Sequence, residues 1–231
     1  EPLERAIADG VFSEPERHLP GIFMSGEGCG MLNAGHLFGV DCLSDRDLAR
    51  AMVAGRKKAQ EYLRFYREYV EGCEGLLHMA TAAVLGVRET RRIRGEYTLN
   101  VDDFLARRVF EDEIGRFNYP IDIHRSTPSL EDHAAFVHEF TQGHRLGVGE
   151  SYGIPYRCLV PQGCTNLLVS GRCISTDRLV QGSIRVMPCC FITGQAAGTA
   201  AALCTKQDVA PRELDARLLR TVLREQGAYL P

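Results

Sequence analysis

This chain lacks most of the signatures that place a protein quickly. It has no basic excess: 27 Lys and Arg stand against 30 Asp and Glu, a formal net charge of -3 with a pI near 6.2. That balance offers no field for a polyphosphate backbone, so nucleic acid is not an expected partner despite the local cluster at residues 91–95. By this reading no apolar run approaches the roughly 20 residues a membrane helix needs, and no membrane is expected. The first ten residues show neither an initiator Met nor a basic-then-apolar leader, which reads as a fragment or a processed product. No C-x-x-C pair occurs among nine cysteines, and Cys189, Cys190 and Cys204 sit among small apolar neighbours typical of reduced, buried thiols, so a cytoplasmic location is expected.

Missing motifs exclude further chemistry. There is no G-x-G-x-x-G, no Walker loop and no G-x-S-x-G elbow; "GEGCGMLNAG" and "GVGESYG" have the wrong spacing. His133 and His138 are five apart, and "HEFTQ" lacks the second histidine of a zinc-protease helix, so no metal centre is expected. Neither an internal repeat nor a low-complexity linker is present.

What is present is the composition of a folded domain, 45% hydrophobic and 25% charged residues, in a chain long enough for a substantial core. Residues 1–30 read as loop with short strands, and 31–41 as a strand interrupted at Gly35 and Gly39. Ser44 followed by Asp47 reads as a helix cap. Leu48, Met52, Gly55, Ala59, Tyr62, Leu63, Tyr66 and Val70 then recur at helical spacing, predicting a helix about 40 Å long. Its other face, with Arg50, Lys57, Lys58, Glu61, Arg64 and Glu68, reads as solvated. A second helix is expected to end near Gly86, passing through "RETRR" into a strand after Arg92. Asn100 or Asp102 caps a short helix, "NYPIDIHRSTP" reads as extended, and 126–153 carries no clear pattern. Strands are expected over "GIPYRCLVP" and "LLVSG", a helix from Pro188 with a bare face at Gly194, Ala197, Gly198 and Ala201, and a last amphipathic helix from Pro211.

"IPYRCLVPQGCTNLLVSGRCIS" and "GSIRVMPCCFITGQAAGTAAAL" resemble the carboxy-terminal flavin-binding segment of the FAD-dependent oxidoreductases related to fumarate reductase flavoproteins. "VDCLSDRDLARAMVAGRKKAQEYL", "LGVRETRRIRGEYTLNVDDFL" and "YPIDIH" resemble the same family in the same order, so the likeness runs from about Leu32 to the end. It implies an α/β (mixed α+β) fold: a substrate-side region over 1–151, the returning strand and helix of a Rossmann-like FAD domain over 152–204, and a carboxy-terminal helix over 205–231. It implies FAD as cofactor and hydride transfer to or from a small organic substrate. The amino-terminal half that binds the ADP part of FAD is not among these residues, so the chain is expected to be incomplete alone, with an oligomer or a partner chain covering exposed apolar surface.

By that resemblance Gly171, Arg172, Cys173 and Ser175 line the cofactor, Arg185, Val186 and Met187 approach its ring, and Gln195 lies on the adjoining helix. Arg172 stands where many flavoproteins carry an acidic residue, which leaves the ribitol contact open. Arg88, Arg91 and Arg92, with Glu89 positioning one of them, are candidates to clamp a carboxylate or donate a proton, and His36, near Asn33, is a candidate for proton transfer. Tyr156 and Arg157 stand on a strand expected near the cofactor. For each of these a structural role is the competing reading. For the chain as a whole, the competing readings are a non-catalytic interaction module, or half of a flavoprotein completed by another chain.

Overall fold

The computed structural model describes residues 1–124 and 127–230; Arg125 and Ser126, inside the stretch expected to be extended, lie outside the described residues. Two compact units form: residues 1–87 with 124–137, and residues 88–123 with 138–231. These boundaries differ from 151 and 204, which followed resemblance rather than packing.

In the first unit α1 (Pro2–Ala8) starts with proline in its first turn, where the missing N–H costs nothing. β1 (Ile22–Gly26) and β2 (Cys29–Leu32) form an antiparallel hairpin with Phe23 opposite Met31. α2 (Asp45–Tyr69) begins as its sequence predicts, the Ser44 hydroxyl accepting the Asp47 N–H at 3.3 Å. Its buried stripe is Ala51, Lys58, Tyr62, Phe65 and Tyr66, so Lys58, expected on the solvated face, lies inside. Phe12 closes over Tyr62 and Phe65, with ring centroids 5.1 and 5.5 Å away. The helix expected to end near Gly86 does not form. Residues 75–87 take no regular structure: Leu76 packs partly on the core but Leu77, Met79 and Val84 are at least 75% exposed, and a short helix with so little face to bury does not hold in water.

In the second unit the Asn100 side chain accepts N–H groups of Asp102 and Asp103 to start α3 (Val101–Leu105), and Asp103 reaches back to the Asn100 N–H, a complete capping box. β3 (Glu113–Phe117) precedes α4 (Leu130–Gln142), whose first residues belong to the first unit. β4 (Tyr152–Pro155) pairs antiparallel with β3, and the chain then tightens into a 3-10 turn at Tyr156–Leu159 instead of continuing as a strand. α5 (Arg178–Ile184), α6 (Met187–Gln207) and α7 (Ala216–Glu225) complete the order. Asp177 ties two elements together, accepting the Val180 N–H at the start of α5 and the Val101 N–H at the start of α3. The core is built from Leu99, Phe104, Ile114, Tyr152, Ile154, Leu159, Ile174, Ile184, Leu219 and Leu223, each at most 1% exposed.

The fold is mixed α and β, with seven α-helices and two small antiparallel sheets among the described residues. The strand expected over 167–171 is corrected. These residues are extended but form no sheet ladder, because along them one backbone bond is made outside their own turn, Val169 N–H to the Leu159 carbonyl, and Leu167 is 47% exposed. The parallel pairing found among the described residues is a single bridge between Leu99 and Thr176.

α6 corrects a second expectation. Its 21 residues are long and apolar enough to cross a membrane by length and composition. Here one side packs on β3, α7 and three 3-10 turns, burying Cys189, Thr193, Ala196, Ala200 and Cys204, the behaviour of a helix that lends one stripe to a protein core.

Candidate functional site

The residues expected around a flavin gather in the second unit, where Gly171 turns the chain back onto α6. Its φ of +77° is a left-handed conformation that glycine adopts without strain, and its N–H donates to the Thr193 hydroxyl at 3.0 Å. That hydroxyl also donates to the Cys189 carbonyl at 3.0 Å, which fixes the turn to the first part of α6. A Cβ on Gly171 would meet Cys190 Sγ at 3.9 Å, and one on Gly194 or Gly198 would meet nothing within 4 Å. The turn and the outer face of α6 therefore present bare backbone. Arg172 is exposed, and Cys173 is half-buried with its thiol toward the Ser170 carbonyl. Val186 caps α6 without a side-chain acceptor, and Met187 in the first turn is 72% exposed. Gln195 is exposed and donates to the Gln226 side chain at 3.0 Å.

Two residues of the set are tied up by the fold. Ser175 is 1% exposed, its hydroxyl paired with Thr98 and its backbone bonded to Leu99 and Cys158, so no open face remains on it. Arg185 lies at the end of α5, where one guanidinium nitrogen donates to both the carbonyl and the carboxylate of Asp122 at 2.8 Å. Burial first, then the nearby Arg88 charge, holds the Arg185 pKa below its ordinary value. Burial is also the main reason the Tyr119 hydroxyl is pushed up, although Arg88 and Arg185 act against it.

Arg88 itself was a sequence candidate, and its environment sets it apart. Its carbonyl accepts the Gln181 amide, while its Nη1 is buried without a hydrogen-bond partner. Its charge is felt at Arg185 and at the Tyr119 hydroxyl, which places a guanidinium with an unsatisfied donor beside both groups. Arg92 is paired with Glu89 three residues away. Tyr156 and Arg157 belong elsewhere in this unit: the Tyr156 hydroxyl donates to the Pro211 carbonyl, Arg157 pairs with Asp112, and both line a separate cavity of about 840 Å³. All nine cysteines are free; burial pushes the Cys158 thiol up to about 12 and raises Cys189 further, the reverse of what a reactive thiol needs.

His36 belongs to the first unit. Gly35, at φ +86° and close against Tyr62 and Lys58, lets the chain pass α2 tightly enough to deliver it. Glu16 grips the residue twice, accepting its N–H at 2.9 Å and contacting its Nδ1, while Lys58 donates to its carbonyl at 2.7 Å. Burial alone would raise the Glu16 pKa, but the His36 hydrogen bonds and the His36 and Lys58 charges outweigh it, and the net shift is downward. His18 and His124 pack beside His36, with ring centroids 5.2 and 4.5 Å from it, and Phe136 stacks on His124. Sequence inspection weighed His133 and His138 and passed over this trio, since its members are far apart along the chain and share no local motif.

Comparison with curated proteins gives no match, and neither does comparison with solved structures. A family model described as FAD dependent oxidoreductase matches residues 10–223, and the chain therefore belongs to the FAD-dependent oxidoreductase family.

Proposed function

We propose that this chain is the carboxy-terminal, substrate-side portion of a fumarate reductase-like flavoprotein, and that a segment outside residues 1–231 completes a Rossmann-like FAD site with it. The observation that carries this reading is the open, side-chain-poor face formed by the Gly171 turn and the outer side of α6. Such a face fits a flat cofactor that lies against backbone. Bound FAD supplies the hydride acceptor or donor, and this chain orients the partners and shapes the charge around them.

The division of labour follows from which groups lie outside the core. Gly171, Arg172 and Cys173 hold the cofactor along the turn, Val186 and Met187 bring the uncapped start of α6 to it, and Gln195 adds a polar contact further along the helix. Arg185 supports the site from beneath through Asp122, and Ser175 serves the core. Arg88, with a buried donor lacking an acceptor, binds the carboxylate of a small organic acid.

Two preparations test the proposal. The longer natural polypeptide is expected to be yellow and to release FAD on denaturation, whereas the 231-residue chain titrated with FAD is expected to retain none stoichiometrically, because half a site makes too few contacts to offset the cost of ordering the ligand. A colourless longer polypeptide overturns the flavin reading. Tight one-to-one FAD binding by residues 1–231 alone overturns the half-site reading.

A further inference from the structure

Three histidines from separate parts of the first unit converge on one point. His18 comes from the loop after α1, His36 from the stretch between β2 and α2, and His124 from the segment before α4, and one ring nitrogen of each lies within 4.8 Å of the others. They line a cavity of about 30 Å³, room for a single ion or water, that Phe38 and Phe136 also line. From these positions we infer that this chain carries a three-histidine site for a divalent transition-metal ion.

The orientation of His36 supports this more strongly than proximity alone. Glu16, 6% exposed, occupies its Nδ1 and its backbone N–H together, so Nε2 is the nitrogen left to ligate. A carboxylate holding the far nitrogen of a ligating imidazole is the usual supporting contact in histidine metal sites, fixing tautomer and ring direction before the metal arrives. Glu16 is itself held in place electrostatically by Lys58, which is buried beneath His36 and paired with Glu14.

The donor set selects the ion. Three neutral imidazoles suit zinc, cobalt, nickel or iron better than calcium or magnesium, which demand oxygen. Tetrahedral coordination at about 2.0–2.1 Å places ligating nitrogens about 3.3 Å apart, so the rings need only small rotations to close on a metal. Three protein ligands leave a fourth position, into the cavity that Asp132 and His133 also line, where a water or a substrate oxygen would bind. The site needs no flavin, so it stands or falls separately from the proposed FAD chemistry.

The test is metal binding by the chelator-treated 231-residue chain, with Co²⁺ followed by its visible absorption and Zn²⁺ by competition. One-to-one binding is expected, with the intense bands of low-coordinate cobalt. His18→Ala, His36→Ala and His124→Ala should each weaken it by about 100-fold or more, Glu16→Gln by about 10- to 100-fold, and His78→Ala, on the surface, not at all. Where a His→Ala chain loses its native circular dichroism, the corresponding His→Gln variant replaces it. Absence of one-to-one binding in the unaltered chain, or an unchanged affinity in folded His18 and His124 variants, overturns the inference.

Discussion

The two units hold themselves together by different means. Among the described residues the second gathers twenty-three buried apolar side chains in one cluster, while the cluster of the first holds five, Ala6, Val11, Tyr62, Phe65 and Tyr66. With so little apolar surface to remove from water, the first unit is stitched by buried polar groups, Glu16 to His36 and Lys58 to Glu14 and the His36 carbonyl. Hydrophobic burial is insensitive to pH and tolerates many sequences, whereas a buried ionic network depends on each member and on its charge state. The contrast shows where rigidity resides and where conditions can alter the molecule.

The contrast can be broken first by cavity formation. Phe104→Ala should cost about 3–5 kcal/mol, seen as a lower midpoint in denaturant for the second unit, while Phe65→Ala should raise hydrogen exchange in α1 and α2 and leave β3, β4 and α6 protected. Next comes the pair of arginines. Arg185→Met removes the ion pair and the hydrogen bonds that Arg185 makes to Asp122 and should cost about 2–3 kcal/mol, whereas Arg88→Met, which breaks no side-chain bond, should leave the melting temperature within a degree or two and abolish carboxylate binding in the flavin-loaded protein. Equal destabilisation by both would show that Arg88 serves the fold. Gly171→Ala forces alanine into a left-handed turn and should cost about 1 kcal/mol, with a larger proportional loss of FAD affinity than of stability.

The smallest effect sharpens the comparison through pH. Glu16 has a folded pKa below its ordinary 4.5, so its stabilising contribution is complete above that pH and is lost as pH falls through the lowered folded value. Denaturation midpoints of the first unit should therefore fall more steeply below pH 4.5 than those of Glu16→Gln. Parallel slopes would remove Glu16 from the network.

Elements with local punctuation were legible from the residues. Ser44 starts α2, Asn100 starts α3, Pro188 stands in the first turn of α6, and the leucine spacing of α7 delivers Leu219 and Leu223 to the core. Elements decided by neighbours were not. "LLVSG" has strand residues but no partner strand among the described residues, and "GLLHMATAAVLG" has helix formers but brings only Leu76 against the core, leaving Leu77, Met79 and Val84 exposed. α1 is too short to show a period, and α4 lies in a stretch without a clear one. At the site, the Gly171 turn and the start of α6 were visible in the spacing. The burial of Ser175, the capture of Arg185 by Asp122 and the meeting of His18 with His36 and His124 are long-range events that no window of sequence contains.

The outer side of α6 has a consequence for selectivity. Helices meeting through ordinary side chains stay about 8–10 Å apart, but Gly194 and Gly198 have open space where a Cβ would stand, so a neighbour can come closer and touch main chain. Such a smooth strip offers few anchors of its own. Discrimination between correct and incorrect neighbours then falls to its border, where Phe191 is 70% exposed, and a single leucine at position 198 would act as a spacer.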